Sequence, residues 1–233
     1  MKPATREILR HPIRTLRVVR NFVRTVADPT RSDIQQGINR IIRDTLRETK
    51  PDDAARPERA SPGLAALWAE RYDPTLERER LEVLPDGTLG REYARFIRSN
   101  GIDPLGNLVD WGTPQSFAEY ALLRAYKLHD VMHVVLGCDA TVMGEVRIVS
   151  FSLGQGRGDR PRGPAAALSV LFLHLTLVDP ARLREAVALS AEWLELGRRA
   201  RSHTEVRLEE YLDRPVAEAR AAVLGGDADR IAA

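Results

Sequence analysis

The residues best equipped for chemistry stand together at His129-Asp130-Val131-Met132-His133, with Glu145 following after eleven intervening residues. Two imidazoles four positions apart on a helix lie one turn apart on the same face. Their Cβ atoms are then about 5–6 Å apart, so both rings can reach one ion. Asp130 is rotated by about 100° from His129 and would approach from the side. Glu145 cannot share that helical turn, so the chain must double back to deliver it. Two imidazoles and two carboxylates form an N/O set suited to zinc, manganese or iron(II). An isolated H-x-x-x-H carries little weight. Here the group interrupts an otherwise apolar helix, and buried carboxylates seldom persist unpaired. Metal ligation by His129, Asp130, His133 and Glu145 is therefore favoured over two core histidines bonded to backbone.

Two better-known metal motifs do not fit. A zincin places Glu directly after its first His as general base, whereas this chain has the shorter Asp130 there. A phosphohydrolase of the H…HD…D type needs a further His a few tens of residues upstream. The nearest one is His11, in a distant basic segment.

The run YALLRAYKLHDVMHVVLG, with Gly144-Glu145 beyond it, resembles the signature of the Coq-four family of ubiquinone-biosynthesis proteins. LPDGTLGREYARFIRSNGI at 84–102 is similar to another segment of that family. So are Asp28-Pro29 after a basic helix, Glu192-Trp193 through Gly197-Arg198, and Asp213-Arg214-Pro215-Val216. The resemblance implies one all-α domain over residues 1–233, with the metal site on its central helix. It implies a step of ubiquinone biosynthesis: loss of the ring carboxylate from a polyprenylated 4-hydroxybenzoate intermediate, with hydroxylation at the same carbon, together with organisation of the biosynthetic complex at the membrane. The cofactor expected is a divalent metal, zinc first, with iron or manganese needed if dioxygen takes part. The partners expected are a polyprenylated quinone precursor, other ubiquinone-biosynthesis proteins, a membrane surface and, as an option, a second copy in a homodimer, with no nucleic acid. The place expected is the cytoplasmic face of a bacterial inner membrane, or the matrix side of the mitochondrial inner membrane. A prenyl-lipid scaffold with a structural metal stays open, because only an open coordination position marks a catalytic ion.

Composition sets the outer bounds. The 233 residues are 43% hydrophobic and 29% charged, enough for one substantial core. A net charge of +2 argues against a dedicated nucleic-acid binder. The single cysteine, Cys138, excludes an internal disulfide and reads as a small buried residue. No signal peptide is evident, and no run reaches the ~20 apolar residues of a membrane span.

The elements that must position the cluster read as helices throughout. Residues 1–50 hold twelve Lys/Arg against five Asp/Glu. Within them Ile13, Leu16, Val19, Val23 and Val26 form a helical stripe beside Arg14, Arg17 and Arg24, which suits either core packing or an anionic membrane. A helix carrying Ile34 to Leu46 follows, and 49–63 reads as a mobile surface linker. Helices are expected from Leu64, after Asp73-Pro74 and after Thr88. Gly87 and Gly90 are weak candidates for a phosphate cradle. Thr113-Pro114 opens the central helix, which Gly137 stops. On it, Leu122, Ala125, Tyr126, His129, His133 and Leu136 share a mostly buried face. Arg124 and Lys127 flank that face as solvated residues or, less favoured, as contacts to an anionic substrate. Val142 to Phe151 has strand-like composition but is assigned as helix to agree with its neighbours. Gly154 to Pro164 reads as a loop near the site. AAALSVLFLHLTLV at 165–178 reads as a core helix, or as the wall of an apolar tunnel. Helices from Asp179-Pro180 to Arg199, 205–212 and 215–224 close the bundle.

Overall fold

A computed structural model describes residues 61–102, 112–156 and 162–230, together with Arg20, Val23, Arg24 and residues 26–28. Expectations for most of the basic N-terminal stripe, the helix at 34–46 and most of the 49–63 linker lie outside the described residues. The described chain forms eight α-helices and no strand: α1 (Pro62–Ala69), α2 (Arg78–Leu81), α3 (Leu89–Asn100), α4 (Phe117–Leu136), α5 (Val142–Gln155), α6 (Arg162–Val178), α7 (Leu183–Arg199) and α8 (Val216–Leu224).

The central helix α4 is set by signals at both ends. The Ser116 hydroxyl accepts the Glu119 N–H, and the Glu119 carboxylate reaches back to the Gln115 N–H. This reciprocal arrangement satisfies donors that helical geometry leaves free. The helix thus begins at Phe117, a turn later than Thr113-Pro114 suggests. At the other end Gly137 takes φ +66°. Its N–H bonds the Val134 carbonyl while the Cys138 N–H bonds that of His133. That pair of bonds is a Schellman stop, which needs a left-handed residue and so favours glycine.

Helix α5 follows after a short link, and Glu145 in its first turn faces His129 and His133 of α4. It forms despite Val142, Val146, Ile148 and Val149 because it is buried on two sides. Ile148 and Phe151 join the main core with α3, α4 and α8, including Tyr93, Leu128, Val131, Val135 and Val223. Met143, Val146 and Val149 join a second core with Leu171, Leu175 and Ala186 of α6 and α7. Burial on both faces erases the single apolar stripe and lets β-branched residues sit in a helix, since tertiary packing outweighs their weak strand preference.

Helices α5 and α7 cross at backbone contact. A Cβ on Gly154 would overlap the Leu194 carbonyl, and one on Gly197 the Phe151 carbonyl. Ser150 Oγ donates to Ser190 Oγ at 2.9 Å beside this crossing. Neither carbonyl can yield, because each belongs to a helix. Gly197→Val is therefore expected to destabilise the fold by about 2–3 kcal/mol through overpacking. A chemical-denaturation midpoint equal to the wild type would show that the helices do not meet there.

Several expectations are corrected. Asp73-Pro74 starts no helix: Lys127 grips both the Asp73 carboxylate and the Pro74 carbonyl, and the chain stays irregular until α2. The loop at 154–164 is shorter, because Gly154 and Gln155 end α5 and α6 begins at Arg162. The segment 205–212 forms only a 3-10 turn at Leu208–Tyr211. Helix α6 is not buried all round: Leu171, His174 and Leu175 are, while Leu177 and Val178 are exposed among the described residues. It lies at the edge of the bundle, covered on one side by α5 and α7. The Gly87/Gly90 cradle is also excluded by geometry. The N–H groups of Leu89 and Gly90 bond the Arg214 and Leu212 carbonyls, and that of Gly87 bonds the Glu92 carboxylate.

Candidate metal centre

The Schellman stop at Gly137 and the Thr141 cap of α5 together build the site. Thr141 Oγ1 accepts the Gly144 N–H, and the Asp139 carboxylate accepts from both the Thr141 N–H and its hydroxyl. These bonds place Glu145 in the first turn of α5, where the positive helix end favours a carboxylate. They also aim it at α4. Gly144 has to be glycine, since a Cβ there would collide with the Asp139 carbonyl.

Glu145 stands between the two imidazoles. Its Oε2 is 3.3 Å from His129 Nε2 and its Oε1 is 3.2 Å from His133 Nε2. One ligand atom from each of the three residues lies within 4.8 Å of the others. His133 is preset for ligation: its Nδ1–H donates to the Asp139 carbonyl at 3.0 Å, which leaves the Nε2 lone pair facing Glu145. Phe96 of α3 stacks on the same ring, with centroids 5.2 Å apart. Burial lowers the proton affinity of His129, but the Glu145 and Asp130 carboxylates outweigh it and raise its pKa to about 9. Burial opposes ionisation of Glu145, yet its two histidine partners hold it well below the ordinary carboxylate range. A carboxylate between two imidazole nitrogens, with one donor atom of each within 4.8 Å of the others, offers an N/O set that fits a divalent cation.

The four expected ligands do not fall into one group. His129, His133 and Glu145 converge; Asp130 is buried and is not among the converging donors. Its charge acts on His129 and on the phenol of Tyr93. The expected buried face is also half-open. Leu122, Ala125, Tyr126 and His129 are partly buried, and only His133 and Leu136 are fully so. The more deeply buried side of α4 carries Tyr120, Leu128, Val131 and Val135.

Arg124 and Lys127 are not solvated flanks. Arg124 is fully buried: it pairs with Glu209 at 2.9 Å and donates to the Thr204 and Val206 carbonyls. Lys127 Nζ lies 2.7 Å from the Asp73 carboxylate. Both cations are committed to holding the chain. Cys138 is buried, and burial raises its thiol pKa to about 12, which rules it out as a ready nucleophile. Sequence spacing missed Asp139, which holds His133 through its backbone carbonyl and Thr141 through its carboxylate.

Fold and site together define a class: an all-α protein whose central helix and the helix that follows it present two histidines and a glutamate to one point. A family model described as coenzyme Q (ubiquinone) biosynthesis protein Coq4 matches residues 72–224, which include every residue of this cluster, and the chain belongs to that family. It is 31% identical to the rat mitochondrial ubiquinone biosynthesis protein COQ4 homolog over 158 residues, 63% of this chain and 53% of the relative. It is 28% identical over 156 residues to mitochondrial COQ4 homolog 2 of Trypanosoma cruzi, covering 62% of this chain and 59% of the relative. These matches thus span little more than half of each relative's length. A crystal structure of a ubiquinone-biosynthesis-type protein from Nostoc punctiforme superposes with a TM-score of 0.62. It covers 91% of this chain and 96% of that one at 20% identity, which supports the helical fold alone.

Proposed function

We propose that the chain serves ubiquinone biosynthesis by holding one divalent ion on His129, His133 and Glu145 beside a polyprenylated 4-hydroxybenzoate-type ring. The reaction proposed is loss of the ring carboxylate, coupled to hydroxylation at the same carbon. The observation carrying this reading is the convergence of those three donors on the half-open side of α4. Membership of a family described by coenzyme Q biosynthesis supports the pathway.

Two histidines and one carboxylate leave coordination positions for a ligand, as catalytic zinc sites and non-haem iron(II) sites do. This favours catalysis over a structural ion, which would sit in a closed shell. With an ion bound, the site supplies positive charge to receive carboxylate or phenolate oxygens; iron or manganese would add the redox chemistry that dioxygen needs. The chain does the rest. The Asp139 carbonyl keeps His133 in one tautomer, and Phe96 fixes its ring plane. Asp130 adds negative charge beside His129 without occupying the converging position. Tyr93, in the main core, has its phenol held protonated by burial and by Asp130.

Among the described residues no helix is long and apolar enough to cross a membrane. We place the protein peripherally on the membrane that holds its lipid substrate, with other proteins of the pathway as partners. The curated relatives are mitochondrial by name, which supports a mitochondrial setting. The test is metal analysis of purified protein combined with turnover of a carboxylated prenyl-phenol. About one ion per chain is expected, with carbon dioxide release lost on chelation and restored by metal. Turnover by rigorously metal-free protein would overturn the reading.

A further inference from the structure

We propose that the outer face of α6, together with the basic segment that joins it at Val26, is the surface by which this protein sits on the anionic leaflet of a membrane. The inference rests on the peripheral placement given above and names the surface that makes the contact.

Helix α6 has no Asp, Glu, Lys or Arg from Gly163 to Val178, a run of sixteen residues. Packing accounts for one side of that run. Leu171 and Leu175 are buried with Met143, Val146 and Val149 of α5 and Ala186 of α7. The other side carries Ala166, Val170, Leu173 and Leu177, spaced i, i+4, i+7 and i+11 along one stripe. Leu173, Leu177 and Val178 are 36%, 66% and 60% exposed. Three of the seven large hydrophobics exposed among the described residues thus fall within two turns of one helix. Such a cluster, unlike apolar residues scattered singly, marks an interaction surface.

The polar groups on this face are turned onto the helix itself. Ser169 Oγ donates to the Ala165 carbonyl at 2.8 Å, and Thr176 Oγ1 to the Phe172 carbonyl at 2.7 Å. Each hydroxyl thereby places its proton inside the helix and needs no water for it. The exposed positions from Gly163 to Val178 carry no aromatic ring, amide or charge. A protein partner is recognised by about one hydrogen bond per 100–200 Å² and anchored on Trp, Tyr or Arg. Lipid hydrocarbon asks for neither. At about 1.5 Å per residue the 17 residues of α6 reach about 25 Å, short of the ~30 Å hydrocarbon core, so the helix lies along the interface and does not cross it.

Charge beside the stripe selects the kind of lipid. His174 lies about 100° round from Leu173, at the border between the outer and the buried side. Its Nδ1–H donates to the Val26 carbonyl at 2.8 Å, which pins the end of the basic segment to the rim of the apolar face. Residues 1–27 hold seven Lys/Arg against one Glu, and 157–162, at the entry to α6, hold three Arg against one Asp. Arg20 is exposed, and so is Val23, one turn before Val26. Apolar surface flanked by cations matches a leaflet rich in anionic headgroups. The inner side of α6 packs on α5, which carries Glu145. Docking through α6 therefore sets the metal centre one helix layer, about 8–10 Å between axes, from the lipid.

Flotation of the full chain with vesicles of phosphatidylcholine and phosphatidylglycerol tests this, with melting temperature and oligomeric state recorded for each protein. Wild type should bind pure phosphatidylcholine about ten-fold more weakly than the anionic mixture. Leu173→Glu/Leu177→Glu should weaken binding to the mixture by about 30-fold or more, since it removes two leucines from lipid and brings two negative charges to an anionic surface. Val83→Glu, at an exposed valine between α2 and α3, should bind as wild type does. A Leu177→Cys protein carrying an environment-sensitive dye should shift its emission to the blue when vesicles are added; Cys138 is buried and stays unlabelled. Undiminished binding by a folded double variant, equal binding to neutral vesicles, or an unshifted dye would each overturn the proposal and leave the peripheral placement to another surface. A double variant that changes only its oligomeric state would give the face to a second copy instead. The dye needs no charge substitution, so misfolding of the double variant cannot shield the proposal. Wild type that fails to float at any anionic fraction would overturn the peripheral placement as well.

Discussion

Glu145→Ala is expected to lower metal affinity by more than 100-fold while leaving the helical content unchanged. Loss of a group that merely supports a ligand typically costs about 10–100-fold in affinity. Among the described residues Glu145 is the carboxylate that faces both imidazoles, at 3.2 and 3.3 Å, so its removal takes away a direct donor and the charge that would neutralise an ion. The fold should tolerate the change. The side chain is 20% exposed, and its role at the start of α5 is worth about 1 kcal/mol at most. Asp130→Asn makes the contrast. Asp130 lies off the converging triangle, so that variant should keep most of its metal and its fold. Its effect should fall on activity instead, through the charge felt by His129. Both variants can be supplied to a ubiquinone-deficient strain lacking this gene, with quinone, soluble protein and bound metal measured together. Full metal loading in Glu145→Ala would place the site elsewhere. Normal quinone from a folded, metal-free variant would leave only the scaffold reading.

Arg124→Met should destabilise the protein by about 3–5 kcal/mol, the largest effect expected away from the metal centre. The Arg124 and Glu209 side chains are 0% and 2% exposed, and they pair at 2.9 Å. Removing the guanidinium strands a buried carboxylate, with Lys127 Nζ 3.9 Å away as its remaining cation. It also orphans the carbonyls of Thr204 and Val206. The double variant Arg124→Met/Glu209→Met removes both charges and should regain much of the loss, because a buried pair exchanged for packed apolar groups is often close to neutral. Urea denaturation of the two singles and the double measures the coupling. A single variant within about 0.5 kcal/mol of wild type would show an ordinary surface position instead.

Much of this protein is legible along the chain because its physics is local. Gly137 stops α4 through a left-handed turn, and the i, i+4 spacing of His129 and His133 puts both rings on one face. Each depends on neighbours within a turn or two, so residue type and spacing suffice. Family resemblance supplies the rest of the early reading, including the pairing of Glu145 with the two histidines.

What the chain alone leaves open depends on contacts between distant segments. Asp130 has the chemistry of a ligand, but one residue of helical rotation sends it toward Tyr93 and away from the converging donors. Arg124 reads as a solvated flank because most arginines are; here the 204–209 segment covers it and supplies the carboxylate that makes burial tolerable. His203 and Gln155 stand 48 positions apart, and only the packing of the 201–206 segment against α4 and α5 brings them together. The strand-like run at Val142 to Phe151 becomes a helix for the same reason: two cores claim its two faces. Local sequence determined the glycine stop of the central helix and the histidine pair. Tertiary packing decided which charged and polar side chains face one another, because a buried charge or lone pair is settled by partners that sequence distance does not reveal.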